Sequence, residues 1–388
     1  MASKLDRTTL ISLSGLSMAQ FLRMTGIFFI VPLIGVYASK YTSNEFLIGL
    51  SLGSYEISMA IMQIPSGYLS KKIGRKNYIY LGLSFFVLGN FVSFFGNNIF
   101  ILIAGRFVAG LGAISTPVAS IAIGLVPEDR RNTAMAITGL GIGFAFLGGI
   151  GLSPFIAIYI GIRNFFLISA ILGTLAVFII RMIREPSQKI ERNIGYRKKD
   201  HRNYFIFAGS FLISSVAFMI FLSIQINFVS FYGLYRYAAI LFFSILISGI
   251  LAISVSEVAY RKKHFNIIAL SLILAIAGIA AVYLGLFFRL DYIICMFALI
   301  PFFTGFSIYE ISIIPLFARV LNRNENNISY GVFYAFQYSG NGFGALLQGS
   351  LEFLILKSHA VFFSFTVTMA FGLASGILFI YSSSGIEK

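Results

Sequence analysis

Charged side chains are scarce in this sequence. Asp, Glu, Lys and Arg together make up 11% of its 388 residues, whereas hydrophobic residues make up 58%. A soluble domain usually carries about a quarter charged residues. The composition therefore predicts an integral membrane protein and excludes a fused soluble enzyme domain.

Cysteine and histidine are nearly absent, and tryptophan is missing. Cys295 is the single cysteine, so no intrachain disulfide can form. The three histidines are scattered along the chain, and we expect neither a metal centre nor a cofactor. No Gly-x-x-x-x-Gly-Lys-Ser/Thr loop occurs, which excludes direct use of ATP by this chain.

Long apolar runs fill most of the chain. Each is long enough to cross a membrane, because a spanning helix takes about 20 apolar residues. Barrel strands would be shorter and would alternate in polarity, so the runs predict helices. The first run is too long for a signal peptide and is expected to be retained. The twelve predicted spans lie near residues 10–38, 44–70, 77–97, 99–126, 131–160, 163–183, 204–232, 235–257, 265–288, 292–320, 327–357 and 360–383.

Positive charge is distributed unevenly between the two sets of loops. Most of the 29 Lys and Arg residues lie in the loops on the same side as both termini. Cytoplasmic loops carry the excess of Lys and Arg in membrane proteins. We therefore predict a multi-pass protein of the cell membrane with both termini in the cytoplasm. This topology also explains the net charge of +15, so no nucleic-acid partner is expected.

The longest polar stretch divides the chain almost equally. Residues 185–203 are predicted to be a cytoplasmic linker between two six-helix bundles, residues 1–184 and residues 204–388. The pair Arg75-Lys76 after the second span recurs as Arg261-Lys262 after the eighth. The sequence thus predicts an all-α membrane protein of two pseudo-symmetric bundles, which is one plan of secondary transporters. We expect it to be a monomer in contact with membrane lipids.

Two motifs resemble those of the major facilitator superfamily. Gly67-Tyr-Leu-Ser-Lys-Lys-Ile-Gly-Arg-Lys76 is similar to its signature loop, Gly-x-Leu-x-Asp-Arg-x-Gly-Arg-Lys. Arg106-Phe-Val-Ala-Gly-Leu-Gly-Ala113 is similar to its Arg-x-x-x-Gly-x-Gly motif. The first two spans resemble the YajR-like branch of proton-coupled drug efflux proteins. The resemblance implies the major facilitator fold and transport by alternating access, with the first, fourth, seventh and tenth spans lining the path.

The signature loop departs from the family pattern at one charge. Lys71 stands where the family has an acid that takes part in a cytoplasmic gate. Glu257 and Arg261, four residues apart in the second half, can pair on one helix face and belong to the same predicted gate. The alternative is that the basic loop only fixes topology and contacts anionic lipid. The gate motif that we nominate consists of Gly67, Lys71, Gly74, Arg75, Lys76, Glu257 and Arg261.

The glycine-rich fifth span resembles, incompletely, the antiporter motif of the efflux branch. Gly149, Ser153 and Pro154 fit that motif, with serine in place of a glycine. Glycines at this spacing also let helices approach closely. The alternative to an antiport-specific role is therefore simple helix packing.

Four charged residues are predicted deep in the membrane, where a charge is costly and marks a functional position. Arg106 needs an anion, and we predict that Glu56 is its partner. The pair either carries a proton during transport or is a permanent ion pair between helices. Glu310 is the second candidate for proton coupling. Arg23 is expected either to bind an anionic substrate group or to cap a helix, while Glu352 is expected near a helix end at the membrane interface.

Few other polar side chains fall near mid-membrane. They are fewer than the converging hydrogen bonds that a sugar needs, so the composition favours a small amphipathic organic substrate. Their alternative role is hydrogen bonding between helices. The candidates that we nominate for a substrate cavity, besides Arg23, are Gln63, Gln225, Asn227, Gln337 and Asn341.

Three classes of function follow from these features. The favoured class is a secondary active transporter that exports small amphipathic compounds in exchange for protons. The second is a proton symporter or a uniporter for a metabolite or nutrient. The third is a membrane sensor that does not transport, which the lack of any soluble domain disfavours. None of the three is an enzyme.

Overall fold

The computed structural model describes residues 6–127, 130–185, 201–260, 265–320, 327–355 and 357–383. These residues form helices joined by short turns. The helices are α1 (Arg7–Ile30), α2 (Ile34–Ala38), α3 (Glu45–Ile73), α4 (Arg75–Phe95), α5 (Ile99–Gly110), α6 (Ser115–Gly124), α7 (Arg131–Ile160), α8 (Asn164–Arg181), α9 (His201–Tyr260), α10 (Phe265–Phe288), α11 (Tyr292–Val320), α12 (Asn327–Leu354) and α13 (Lys357–Ser383).

The helices account for twelve membrane spans. Among the described residues, ten segments are long and apolar enough to cross a membrane. One of these, residues 204–255 in α9, is 52 residues long and therefore holds two spans. α9 breaks between them at Gly233, whose φ of 77° is outside the helical region. The more polar α12, with 28 residues, supplies the remaining span. The predicted fold class is thus confirmed.

Polar side chains fix the beginnings of several helices. The Asn44 side chain accepts a hydrogen bond from the Leu47 N–H at the start of α3, and Asn98 does the same for Ile101 at the start of α5. Such caps satisfy N–H groups that have no partner within the helix. At the start of α1, a hydrogen bond from the Thr8 side chain to Asp6 lowers the pKa of that carboxyl.

Two predicted spans are not continuous helices, which corrects the sequence prediction. The first span is divided into α1 and α2 around Pro32, which has no N–H to continue the helical ladder. The fourth is divided into α5 and α6 by residues 111–114. Gly112 lies there against α4, where an added β-carbon would be 2.4 Å from the carbonyl oxygen of Gly82. The break between α5 and α6 thus lies where the chain passes close to the backbone of α4.

The two halves meet most closely where α3 lies against α12. A β-carbon added at Gly49 would lie 2.5 Å from the carbonyl oxygen of Ala345, and one added at Gly53 would lie 2.9 Å from that of Gly342. α3 begins, and α12 ends, on the side of the bundle away from the termini. The halves are therefore in backbone contact on that side.

Aromatic and apolar side chains of other helices also join the two halves. The Phe155 ring of α7 lies 6.3 Å from the Tyr235 ring and 5.6 Å from the Phe242 ring of α9, measured between centroids. One buried cluster joins residues of both halves. First-half residues nearer the termini, including Leu13, Ile79 and Ile180, form a separate buried cluster. The hydrophobic core is thus shared away from the termini and divided towards them.

Glycine packing gives a test of helix contacts in the first half. A β-carbon at Gly89 of α4 would lie 2.2 Å from the Ala109 backbone nitrogen, whereas one at Gly143 of α7 would meet no atom within 4 Å. We expect Gly89→Ala to lower the unfolding free energy by about 1–3 kcal/mol through overpacking. Gly143→Ala should be neutral or stabilise by up to about 1 kcal/mol, since alanine favours helix. Thermal unfolding in detergent measures both, and a Gly89→Ala midpoint at or above the parental one would contradict this packing.

Candidate functional site

Glu56 lies in the interface between the two halves. Its side chain is 3% exposed on α3, next to the backbone contact with α12. One carboxylate oxygen, Oε2, accepts a hydrogen bond of 2.9 Å from the Asn341 amide of α12. A buried carboxylate of the first half is therefore held by a polar side chain of the second half.

Arg106 is fully buried on α5 but does not bond to Glu56 in this conformation. Its guanidinium carbon lies 4.5 Å from the centroid of the Tyr55 ring. None of its three guanidinium nitrogens makes a hydrogen bond within the described part of the chain. The predicted Glu56–Arg106 pair thus forms no hydrogen bond in this state, and its formation in another state stays a prediction.

Arg23 on α1 approaches the same tyrosine from another helix. Its Nη2 donates to the Tyr55 hydroxyl at 3.2 Å and contacts the Met59 sulfur at 3.2 Å. Its other nitrogens, Nε and Nη1, make no hydrogen bond to the described residues. Tyr55 thus contacts both buried arginines. Sequence reasoning did not nominate Tyr55, although its position beside Glu56 in a mid-membrane helix was a usable signal.

Glu310 forms a second carboxylate–amide contact. Its Oε1 on α11 accepts a hydrogen bond of 2.7 Å from the Gln337 amide of α12. Gln337 and Asn341 are four residues apart on α12 and therefore lie on one side of that helix. Unlike the Glu56–Asn341 contact, this one lies entirely within the second half, so it can persist when the halves move apart.

The other predicted cavity residues hold neighbouring segments together. The Gln225 side chain donates to the Val31 carbonyl at 2.9 Å and accepts from the Gly35 N–H at 2.8 Å, on either side of the break between α1 and α2. The Gln63 side-chain oxygen accepts from the Thr116 hydroxyl of α6 at 2.9 Å. In this conformation both side chains form contacts between helices.

Asn227 bonds to Glu352, the acid that the sequence placed near a helix end. Its side-chain amide donates to Glu352 Oε1 at 3.2 Å, and the Gln348 amide donates to the same oxygen at 3.0 Å. Glu352 is only 8% exposed and lies among the helices of the second half. Its predicted place at the membrane interface stays a prediction, since it stands two residues before the end of α12. Position along a helix does not reveal which face is buried.

The signature loop forms hydrogen bonds with the end of α8 and with the residues that follow it. Gly74, with a φ of 94° that favours glycine, joins α3 to α4. The Arg75 N–H donates to the Glu185 carboxylate at 2.9 Å. The Lys76 ammonium donates to the carbonyl oxygens of Arg181 and Ile183 at 2.8 and 2.9 Å, at the end of α8.

The remaining gate residues lie on either side of this loop. Gly67 lies on α3 with space for a β-carbon 3.6 Å from Thr116, and Lys71 is exposed. The Glu257 side chain and Arg261 lie outside the described residues. A gating contact across the halves therefore stays a prediction.

The α7 motif has a clear packing role. A β-carbon at Gly149 would lie 2.6 Å from the β-carbon of Phe28 on α1. Ser153 is fully buried, and Pro154 lies within the helix. This geometry fits the packing alternative, in which a small residue lets two helices approach.

Known transport proteins are similar to this chain, two of them along most of its length and one over less than half of it. An uncharacterized transporter of Buchnera aphidicola subsp. Baizongia pistaciae is 27% identical over 380 residues, which are 93% of this chain and 95% of that protein. Inner membrane transport protein YajR of Escherichia coli is 35% identical over 164 residues, 42% of this chain and 36% of YajR. Multidrug resistance protein 1 of Bacillus subtilis is 24% identical over 372 residues, 91% of this chain and 92% of that protein.

The fold is also found among solved structures. The xylose transporter XylE from Escherichia coli, in a partially occluded inward open conformation, matches with a TM-score of 0.73 at 15% identity, over 95% of both chains. A family model described as the Major Facilitator Superfamily matches residues 16–345. Together with the helical architecture and the motif residues above, this match shows that the chain belongs to the Major Facilitator Superfamily of membrane transporters.

Proposed function

We propose that this transporter exports small amphipathic organic compounds in exchange for protons by alternating access. The observation that carries the proposal is the Glu56–Asn341 hydrogen bond, which crosses between the halves at a buried position. Separation of α3 from α12 would remove Asn341 and change the surroundings of the carboxylate. Proton binding at Glu56 would thereby be coupled to the conformation of the protein, since neighbours and burial set the proton affinity of a carboxylate.

Arg106 and Glu310 complete the proposed coupling set. Arg106 lies within electrostatic range of Glu56, as Arg23 does, and is a cation available to the carboxylate when Asn341 moves away. Glu310 keeps its amide partner within the second half and is the second candidate. Export of amphipathic compounds is supported by the similarity to a multidrug resistance protein and by the small number of polar side chains near mid-membrane.

The topology is part of the proposal. Both termini lie in the cytoplasm, residues 1–184 and 204–388 form the two bundles, and residues 185–203 link them in a monomer. The contact between α3 and α12 then lies on the external side, and the conformation described above is closed to the outside. The charge distribution in the loops supports this orientation.

Cysteine labelling tests the orientation. Lys71 is exposed near the end of α3, and Asn97 is exposed just after the end of α4, on the opposite side of the bundle. In a Cys295→Ala background, we expect a membrane-impermeant maleimide added to intact cells to label Asn97→Cys. Lys71→Cys should be labelled only after the membrane is opened, because its loop faces the cytoplasm. Labelling of Lys71→Cys in intact cells would refute the topology.

Substitution of Glu56 tests the proton coupling. We expect Glu56→Gln to abolish substrate-induced proton movement, because a glutamine cannot carry the proton but can still bond to Asn341. The assay uses proteoliposomes with an internal pH indicator and a panel of amphipathic compounds. Glu45→Gln is the matched control on the same helix and should retain the parental response.

Two results of this assay would refute the proposal. One is the absence of proton movement with every compound in parental vesicles compared with protein-free vesicles. The other is an unchanged response in Glu56→Gln, which would exclude Glu56 as the coupling group. A response of opposite sign, with protons moving alongside the compound, would instead identify a symporter.

A further inference from the structure

The membrane interior of the first half carries more positive than negative charge. Arg23 and Arg106 are both 0% exposed, and Glu56 lies within electrostatic range of both. In residues 7–127 the sequence contains one other acid, Glu45, at the outer end of α3. Two guanidiniums remain charged at any physiological pH. With Glu56 ionised, the group has an excess of one positive charge in a low-dielectric environment, where an unbalanced charge is strongly unfavourable.

The hydrogen bonds of the two guanidiniums are also incomplete. Five of their nitrogens, Nε and Nη1 of Arg23 and Nε, Nη1 and Nη2 of Arg106, have no hydrogen-bond partner among the described residues. Contacts with the faces of aromatic rings compensate only in part, since a ring face attracts a cation but accepts no strong hydrogen bond. Arg106 lies over Tyr55, and Arg23 lies 6.0 Å from the Phe86 ring centroid.

Both guanidiniums contact the Tyr55 side chain, so their unpartnered donors lie in one region of the bundle. The residues that contact each other there lie on α1, α3, α4 and α5 of the first half, and Tyr338 of α12 is within electrostatic range of Arg23. The full burial of this region favours a compact occupant over an extended organic molecule. The excess of one charge specifies a monovalent anion, and nitrogen donors are the groups that bind such an anion.

We propose that a chloride ion binds between Arg23 and Arg106 beside Tyr55. The ion accepts hydrogen bonds from guanidinium nitrogens that have no other partner and neutralises the excess charge. It stabilises the packing of α1 against α3 and α5. Chloride binding at this site requires neither a particular transported compound nor a particular direction of transport.

Thermal unfolding of the purified full-length protein in detergent tests the site. We compare sodium chloride with sodium gluconate at equal ionic strength, because gluconate is too large for a fully buried site. The unfolding midpoint should rise with chloride concentration and approach saturation, as expected for an ion that binds only the folded protein. In Arg106→Gln, the chloride concentration that gives half of the rise in the unfolding midpoint should be about tenfold higher or more.

Two further variants keep the test decisive. Arg236→Gln is the matched control, because Arg236 also lies over an aromatic ring, Tyr292, but is exposed; it should retain the full chloride response. Glu56→Gln removes the negative charge of the group and should lower the chloride concentration needed, which also provides a readout if Arg106→Gln fails to fold.

Equal midpoints in chloride and gluconate for the parental protein would overturn the proposal. An equal chloride response in Arg106→Gln, or a Glu56→Gln response at unchanged or higher chloride concentration, would also overturn it. The assay involves no transport and no proton gradient. Its failure is therefore distinguishable from failure of the proposed proton exchange.

Discussion

Backbone contact between α3 and α12 determines how the two halves are arranged. At Gly49, Gly53 and Gly349 no side chain separates the two helices, and added β-carbons would lie within 3 Å of backbone oxygens. Small residues allow this approach in a membrane, where van der Waals packing replaces the hydrophobic effect as the main attraction between helices. The same contact brings Asn341 to Glu56 and closes the side of the bundle away from the termini. A larger side chain at these positions would separate the halves and expose the carboxylate.

The two carboxylates of the proposed coupling set differ in their relation to this contact. Glu56 and its amide partner lie on different halves, whereas Glu310 and Gln337 both lie on the second half. Relative movement of the halves therefore changes the surroundings of Glu56 first. The arginines add a second constraint, because Tyr55 contacts both of them on the helix turn that carries Glu56. Charge, packing and conformation are thus coupled within one part of α3.

Much of the architecture was predictable from the sequence. A helix that crosses the membrane must be long and apolar, and the uneven distribution of Lys and Arg between the loops indicates the orientation. Motif residues such as Gly74 and Arg106 also indicated the family. The partners of buried polar groups were not predictable, since they depend on helix rotation. Arg106 was expected to pair with Glu56, yet in this conformation the carboxylate bonds to Asn341 of α12. Glu352 stands near the end of α12, and this position did not reveal that its side chain is buried. The division of the first span at Pro32 had a visible cause, whereas the division of the fourth accompanies a close approach to α4 that the sequence does not show.

The separation of α3 from α12 is the most direct test of alternating access in this protein. Spin labels at Phe46 on α3 and Phe353 on α12, both exposed near the end of this contact, report the distance between the halves. The measurement uses a Cys295→Ala background that retains transport, in lipid, at two pH values. Our account predicts two distance populations, a short one that corresponds to the packed helices and a longer one whose share changes with pH. A single short distance that is the same at both pH values would contradict it.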